Sequence, residues 1–281
     1  MPFYRSARIG ARMSEAATAS RPPRPASTLL LVRDGVSGLE VFVVERHHQI
    51  DFAGGATVFP GGKLEPGDQD PEIRARCAGA EGLDDDTLAF RVAAIREAFE
   101  ECGVLLARPR GRPELITVAR LADMLKRWRA EVREHRVSIA DLARAEDLEL
   151  ACDLLVPFAH WITPEGMPKR FDTIFFLAAA LPDQFAAHDG TETVDSTWIS
   201  PHRALEQADE GKRTIIFPTR MNLAKLARSE TVAEAVASAR ASRIVTVLPR
   251  VVRGPNGPVL RIPADAGYEP VDSPLDSLGV R

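Results

Sequence analysis

Three glutamates, Glu97, Glu100 and Glu101, crowd the end of one periodic segment, in the string "REAFEECG" at 96–103. On a helix they fall within about 100° of arc. They lie opposite an apolar stripe of Leu88, Val92, Ile95, Phe99 and Cys102. Like charges three and four residues apart cost about 0.2–0.5 kcal/mol per pair. Acids in a last turn also oppose the helix dipole, at about 0.3–1 kcal/mol each. The positions four residues further on, Glu101, Val104 and Leu105, hold no cation. A solvated acidic face is the plain reading of such a run. A divalent cation is the other reading, since it would reverse every one of those terms. Clustered hard oxygen donors suit Mg²⁺ or Mn²⁺.

The elements that would position these acids follow from pattern. A helix is expected over about 87–102, preceded by the acidic run Asp84, Asp85 and Asp86, which suits a helix N-terminus. "STLLLVRD" and "LEVFVVERHH", separated by "GVSG", read as a β-hairpin. "GATVFPGGKLEPGD" reads as a strand entering a Gly/Pro turn. Residues 116–150 are charged and helical in period. "LLVPFAHWITP", "KRFDTIFFLAAALP" and "TETVDSTWIS" read as strands, and "PHRALEQADEG" as a short helix with proline at its start. Two further helices are expected at about 218–228 and 231–241, then a last hairpin.

The composition bounds the function class. The chain has 281 residues, 45% of them hydrophobic and 27% charged, with a formal net charge of −4. That balance is globular, and its acidity argues against a nucleic-acid partner. No apolar run approaches the ~18 residues of a membrane span. The cysteines, Cys77, Cys102 and Cys152, form no CxxC pair. Buried thiols in a reducing, cytoplasmic compartment are the expectation. Residues 1–26 carry five arginines and one acid. They are expected to be a disordered leader, and their composition is also compatible with an organellar transit peptide.

The string "GGKLEPGD" followed by "REAFEECGV" resembles the two halves of the Nudix box, G-x5-E-x7-R-E-U-x-E-E-x-G-U. The second half matches at Arg96, Glu97, Glu100, Glu101, Gly103 and Val104, and the first at Gly62. Asp68 stands where the family has glutamate. Twenty-seven residues separate Asp68 from Arg96, where the family usually has seven. A surface loop of the extra length costs little to close. A split box of this kind, with "FAGGATVFPGG" and "TWISP", resembles the coenzyme A diphosphatase branch and its bacterial relatives, over roughly residues 27–228.

The resemblance implies an α/β fold, an α/β/α sandwich around a mixed β-sheet. It is expected as one domain over 27–265, with insertions at about 69–86 and 108–154, a C-terminal helical extension and a weakly ordered tail at 266–281. The implied activity is metal-dependent hydrolysis of a nucleoside diphosphate linked to another group, X. Coenzyme A or acyl-CoA, giving 3′,5′-ADP and phosphopantetheine, is the leading substrate. NADH or ADP-ribose is the alternative within the class, and a non-catalytic nucleotide-binding module is the alternative outside it. Glu97, Glu100 and Glu101 are the implied ligands of Mg²⁺ or Mn²⁺, with the Gly62 carbonyl beside them. Glu192, in a loop before a strand, is expected as a further ligand or the general base. Arg96 is expected to brace the loop against an acid, with Asp68, Asp70 and Glu72 as candidates. Arg46 and Lys63 are placed to contact a phosphate. Trp161, Phe171, Phe175 and Phe176 read as core by strand alternation, with one left to face an adenine or an acyl group. The helical insertion is expected to form a substrate wall or a homodimer contact.

Overall fold

The central strands read as unbroken apolar runs because both of their faces are covered. In β1 (Arg24–Gly35), Leu29 and Leu31 enter one core, and Leu30 and Val32 the other. In β2 (Gly38–Arg46), Phe42 and Val44 oppose Val41 and Val43 in the same way. The computed structural model describes residues 22–46, 55–180, 193–255 and 257–274.

The hairpin β1–β2 is antiparallel, closing with Gly35 opposite Gly38. Two short strands, β3 (Ala56–Val58) and β4 (Gly61–Lys63), carry the Gly/Pro turn, β3 pairing with β2 and β4 with β1. The first helix, α1 (Asp85–Glu97), opens on Asp84, whose carboxylate accepts the Thr87 N–H. Beyond it come β5 (Ala107–Pro109), α2 (Val118–Arg133), α3 (Ile139–Ala145) and β6 (Leu148–Leu150), with β5 and β6 forming a two-stranded ribbon.

Next are β7 (Val156–Ile162), β8 (Phe171–Ala179) and β9 (Thr193–Ile199). The helices α4 (Pro201–Asp209), α5 (Phe217–Leu226) and α6 (Val232–Ala241) follow, with the two-residue strands β10 (Thr214–Ile215) and β11 (Thr246–Val247) between and after them. The nine-stranded sheet runs β10-β3-β2-β1-β8-β7-β11, with β4 added to β1 and β9 to β2. It is mixed: β1 and β8 are parallel, β1–β2 and β7–β8 antiparallel. One face packs on α1, α2 and α3, and the other on α4, α5, α6 and the C-terminal segment. The architecture is the expected α/β/α sandwich.

Three expectations are corrected. First, β1 begins at Arg24, and its pairing with β8 starts there, so ordered structure reaches into the 1–26 segment. Secondly, the C-terminal segment is built further than 265. A separate sheet joins β12 (Arg250–Gly254), β13 (Gly257–Arg261) and β14 (Asp272–Pro274). Tyr268, buried beside Trp161, anchors it: the Trp161 indole donates to the Tyr268 hydroxyl, which donates to Asn222. Thirdly, the helix that starts as α1 does not run as an α-helix to Cys102. Residues Ala98–Cys102 form a π turn, ended by Gly103 in the left-handed conformation at φ 68°.

The extra residues between the box halves are pinned to the helical insertion. Ala78 N–H donates to Leu150 O, and Asp153 N–H to Ala78 O. Arg76 pairs with Asp147, and Arg144 with Asp70 and Glu72. The two insertions are therefore tied to each other by backbone bonds and ion pairs.

Candidate active site

The three glutamates are buried, with relative exposures of only 8%, 7% and 6% for Glu97, Glu100 and Glu101. The solvated-face reading is therefore wrong. A helix wheel shows only that the acids lie off the apolar stripe; here the β4 glycines and the turn after them cover that side, with the Gly61 N–H on Glu101 and Gly62 against Glu97. Asp68 and Arg96 are buried with them, and among the described residues these five are the only buried charged side chains.

Arg96 is the hub. Its Nε donates to Asp68 Oδ1 at 2.9 Å and its Nη2 to Asp68 Oδ2 at 3.1 Å, a two-pronged pair. Nη2 also donates to the Lys63 carbonyl at 2.8 Å. Nη1 lies 2.9 Å from Glu97 Oε1 and 3.0 Å from Glu100 Oε1. One guanidinium thus ties the end of α1 to the β4 turn. Of the three acids open as its partner, Asp68 takes the role, while Asp70 and Glu72 bind Arg144 instead. Asp68 also accepts the Glu65 N–H at 2.8 Å, which closes the turn on itself.

The two glycines of the turn let this happen at close range. A Cβ on Gly62 would stand 2.3 Å from Glu97 Oε1. A Cβ on Gly61 would stand 2.4 Å from the Ser27 carbonyl and 2.7 Å from Thr28 Cα. The Gly61 N–H donates to Glu101 Oε2 at 2.9 Å. So Gly61 is squeezed against β1, and Gly62 against the helix carboxylates.

The charges do not balance. Three buried carboxylates, Asp68, Glu97 and Glu100, share the one Arg96 guanidinium. Burial raises Glu97 to about 8, against the lowering influence of Arg96. It also raises Glu100 and Asp68, again against Arg96. Burial alone would weaken the charge on Arg96, yet the pull of Glu97 and Asp68 outweighs it and holds the guanidinium protonated. The unmet negative charge and the all-oxygen donor set fit a hard divalent cation. Among the described residues, no three His, Cys, Asp or Glu side chains already converge as a cage. Glu97 and Glu100 lean on Arg96, and Glu101 on Gly61, so gathering them round one ion takes side-chain rotation.

Beside Gly61, Gly62 and Lys63 opens a cavity of about 210 Å³, on the face of the sheet opposite α1. Trp161, Phe171 and Phe175 line it, with Met167 and Phe217. Phe176, by contrast, points into the core under α1. Lys63, an exposed residue, is also part of the cavity lining.

Other expected residues lie elsewhere or outside the described part. Glu192 falls outside the described residues. Arg46 ends β2, and its side chain is likewise outside them. His160, which no expectation placed in the site, is held between Asp172, at 2.5 Å, and Thr246, at 2.8 Å, as a packed strand histidine. All three cysteines are free and buried.

Pattern reasoning missed Glu65, His135 and Arg129. Glu65 Oε1 lies 3.6 Å from Arg96, and its Oε2 2.9 Å from His135 Nδ1. Arg129 reaches the backbone of Glu100 and Glu101 from α2. Only the string "KLEPGD", one acid beside another in a turn, hinted at Glu65.

A family model, the NUDT19 Nudix domain, matches residues 74–226, more than half of the chain. The chain belongs to this Nudix family. The acyl-coenzyme A diphosphatase NUDT19 of Homo sapiens is 28% identical over 236 residues, covering 70% of this chain and 61% of that protein. The putative nudix hydrolase 7 of Caenorhabditis elegans is 29% identical over 192 residues, covering 67% and 56%. The Nudix chain therefore spans about three-fifths of the length of these curated relatives. The crystal structure of a NUDIX hydrolase from Alicyclobacillus acidocaldarius superposes with a TM-score of 0.63 at 28% identity, covering 77% of this chain and 96% of that one. Its likeness extends the Nudix assignment from the box to the fold.

Proposed function

We propose that this chain is a divalent-metal-dependent Nudix pyrophosphohydrolase that cleaves a nucleoside diphosphate linked to X, with coenzyme A or acyl-CoA as its leading substrate. The observation that carries the reading is the buried, under-compensated carboxylate cluster lying directly behind the glycine turn of an aromatic cavity. Each half alone is ordinary. Together they pair a cation site with a place for a flat or apolar group, which is what a nucleoside diphosphate conjugate requires.

Mg²⁺ or Mn²⁺, when bound, offsets the charge of the diphosphate and makes a water acidic enough to attack phosphorus. Glu97, Glu100 and Glu101 are the residues that would hold it, with the Gly62 carbonyl as a proposed further ligand. Arg96, braced by Asp68, keeps the helix end and the turn in register. Lys63, and Arg46 at the end of β2, are the proposed phosphate contacts. Glu192 is the proposed general base or further ligand. The aromatic cavity takes the adenine or the acyl part and leaves the diphosphate at the glycine turn. Water adds to one phosphorus, the bridging P–O–P bond breaks, and the leaving phosphate takes the proton. The curated relatives named as acyl-coenzyme A diphosphatases support the choice of substrate. The three buried thiols suit a reducing compartment such as the cytoplasm.

The test is a panel of coenzyme A, acyl-CoA, NADH and ADP-ribose with Mg²⁺ and with Mn²⁺, its products read by mass spectrometry. Metal-dependent 3′,5′-ADP and phosphopantetheine are the expected products. Cleavage of NADH or ADP-ribose alone would replace the substrate and keep the class. Cleavage of none would leave a nucleotide-binding module.

A further inference from the structure

The geometry points to Arg129, on α2 of the helical insertion, as a positioning residue for the two glutamates at the end of the catalytic helix. The inference rests on the metal-dependent reading above. Arg129 Nε donates to the Glu100 carbonyl at 2.8 Å, and its Nη2 to the Glu101 carbonyl at 2.9 Å. One planar fork thereby spans two successive peptide groups. Both belong to residues proposed to hold the metal.

These carbonyls need such a partner. The last carbonyls of a helix have no N–H above them. Here the π turn ends with Gly103 N–H on Phe99 O and Val104 N–H on Ala98 O, which leaves Glu100 and Glu101 for another donor. The chain also approaches α2 closely at this point. A Cβ on Gly103, already at φ 68°, would meet Leu125 at 3.4 Å and the Arg129 guanidinium at 3.7 Å. Below Arg129, Leu121, Met124 and Val132 are buried and fix α2 to the core. A rigid helix therefore holds the fork, and the fork holds the peptide planes from which two carboxylates project.

Arg129 also supplies the cation that the local sequence lacks. The helix end carries three acids and its own negative dipole, and the guanidinium sits on the carbonyls that produce that dipole. Two roles are thus combined: geometry, from the fork, and charge. They act oppositely on a metal. Losing the charge would tighten a cation, whereas losing the fork would loosen the site that grips it. Partners behind metal ligands are typically worth about 10–100-fold in affinity or activity, so the fork is expected to dominate.

Arg129→Lys separates the two, because it keeps the charge and removes the fork. Mn²⁺ binding would be measured by electron paramagnetic resonance on the full chain without substrate, beside kcat and KM with coenzyme A. Arg129→Lys is expected to weaken Mn²⁺ and lower kcat by about tenfold each, with KM little changed. Arg129→Met, which loses the charge as well, is expected to bind Mn²⁺ more weakly than wild type but no more weakly than Arg129→Lys. Arg127→Met, also on α2, which removes a pair with Glu146 at the end of α3, should match wild type. A lysine variant equal to wild type in both readouts would overturn the inference. So would a methionine variant that binds Mn²⁺ more tightly than wild type, since charge alone would then be at work. Wild-type protein that bound no Mn²⁺ would overturn the metal-dependent reading and this inference with it.

Discussion

Gly62→Ala and Gly61→Ala are neighbouring substitutions with opposite expected consequences. At Gly62 the new methyl would stand 2.3 Å from Glu97 Oε1, 2.6 Å from its Cδ and 2.8 Å from Oε2. Carbon and oxygen at rest are more than 3 Å apart, so the carboxylate must retreat by about 1 Å. It can do so, because it is the tip of a rotatable side chain. A displacement of that size at a catalytic group costs on the order of 100-fold in rate, or about 2.7 kcal/mol in the barrier. Stability should barely change. At Gly61 the methyl would meet Ser27 O at 2.4 Å and Thr28 Cα at 2.7 Å, both backbone atoms of the central strand β1. These cannot rotate away. Overpacking of this kind costs about 1–3 kcal/mol, which lowers Tm by roughly 2–4 °C for each kcal/mol in a domain of this size. The assay is kcat with coenzyme A and Mg²⁺, paired with thermal melting. Near wild-type turnover by Gly62→Ala would refute the reasoning, because Glu97 would then not act where the glycine leaves room for it. A Gly62→Ala melting temperature as low as that of Gly61→Ala would refute it from the other side.

Glu97→Gln should abolish turnover yet raise Tm in EDTA at pH 8, because it removes a carboxylate that burial makes costly to ionise; an unchanged or lower Tm would contradict this. Asp68→Ala should destabilise the protein by about 3 kcal/mol, since it strips Arg96 of its two-pronged partner; denaturant unfolding reads it, and a loss below about 1 kcal/mol would show that Glu97 and Glu100 suffice. Met167→Glu puts a carboxylate in the lining of the cavity. It should raise KM for an anionic diphosphate substrate severalfold at unchanged Tm, and an unchanged KM would place the substrate elsewhere.

Much of this site was legible in the chain, for definable reasons. The apolar stripe of α1 repeats at three and four residues, and a run of Glu97, Glu100 and Glu101 opposes both its own charges and the helix dipole. Those are local facts. The partner of Arg96 was not local. Asp68, Asp70 and Glu72 stand within five positions of one another, and only the packing of α3 on the turn, with Arg144 occupying Asp70 and Glu72, leaves Asp68 for Arg96. The burial of the glutamates was illegible for a related reason. A wheel separates the acids from the apolar stripe, but the β4 glycines and Asp68 that cover them come from outside α1, where its periodicity cannot register them. Arg129 lies 28 positions beyond Glu101 on a helix whose sequence reads as an ordinary charged one. Its role exists only in three dimensions. The aromatic residues divided as strand alternation requires, with Phe176 under α1 and Phe175 in the cavity. Alternation alone did not say which face held a cavity.

The central claim is that the buried carboxylates are held in place for a divalent cation. Thermal melting of wild-type protein from pH 5.5 to 8.5, in EDTA and in excess Mg²⁺, tests it most directly. Glu97 is raised from 4.5 to about 8, so between those values the folded protein holds a proton that the unfolded chain has lost. Stability from this group is greatest below pH 4.5 and declines as pH rises toward 8. The loss is at most about 4–5 kcal/mol, reduced by whatever the cluster relaxes. A cation that binds the ionised carboxylates stabilises the folded state by mass action, so Mg²⁺ should raise Tm by several degrees at pH 8.5 and hardly at all at pH 5.5. The account predicts two melting curves that separate as pH rises. Identical curves with EDTA and with Mg²⁺ across the whole range would contradict it.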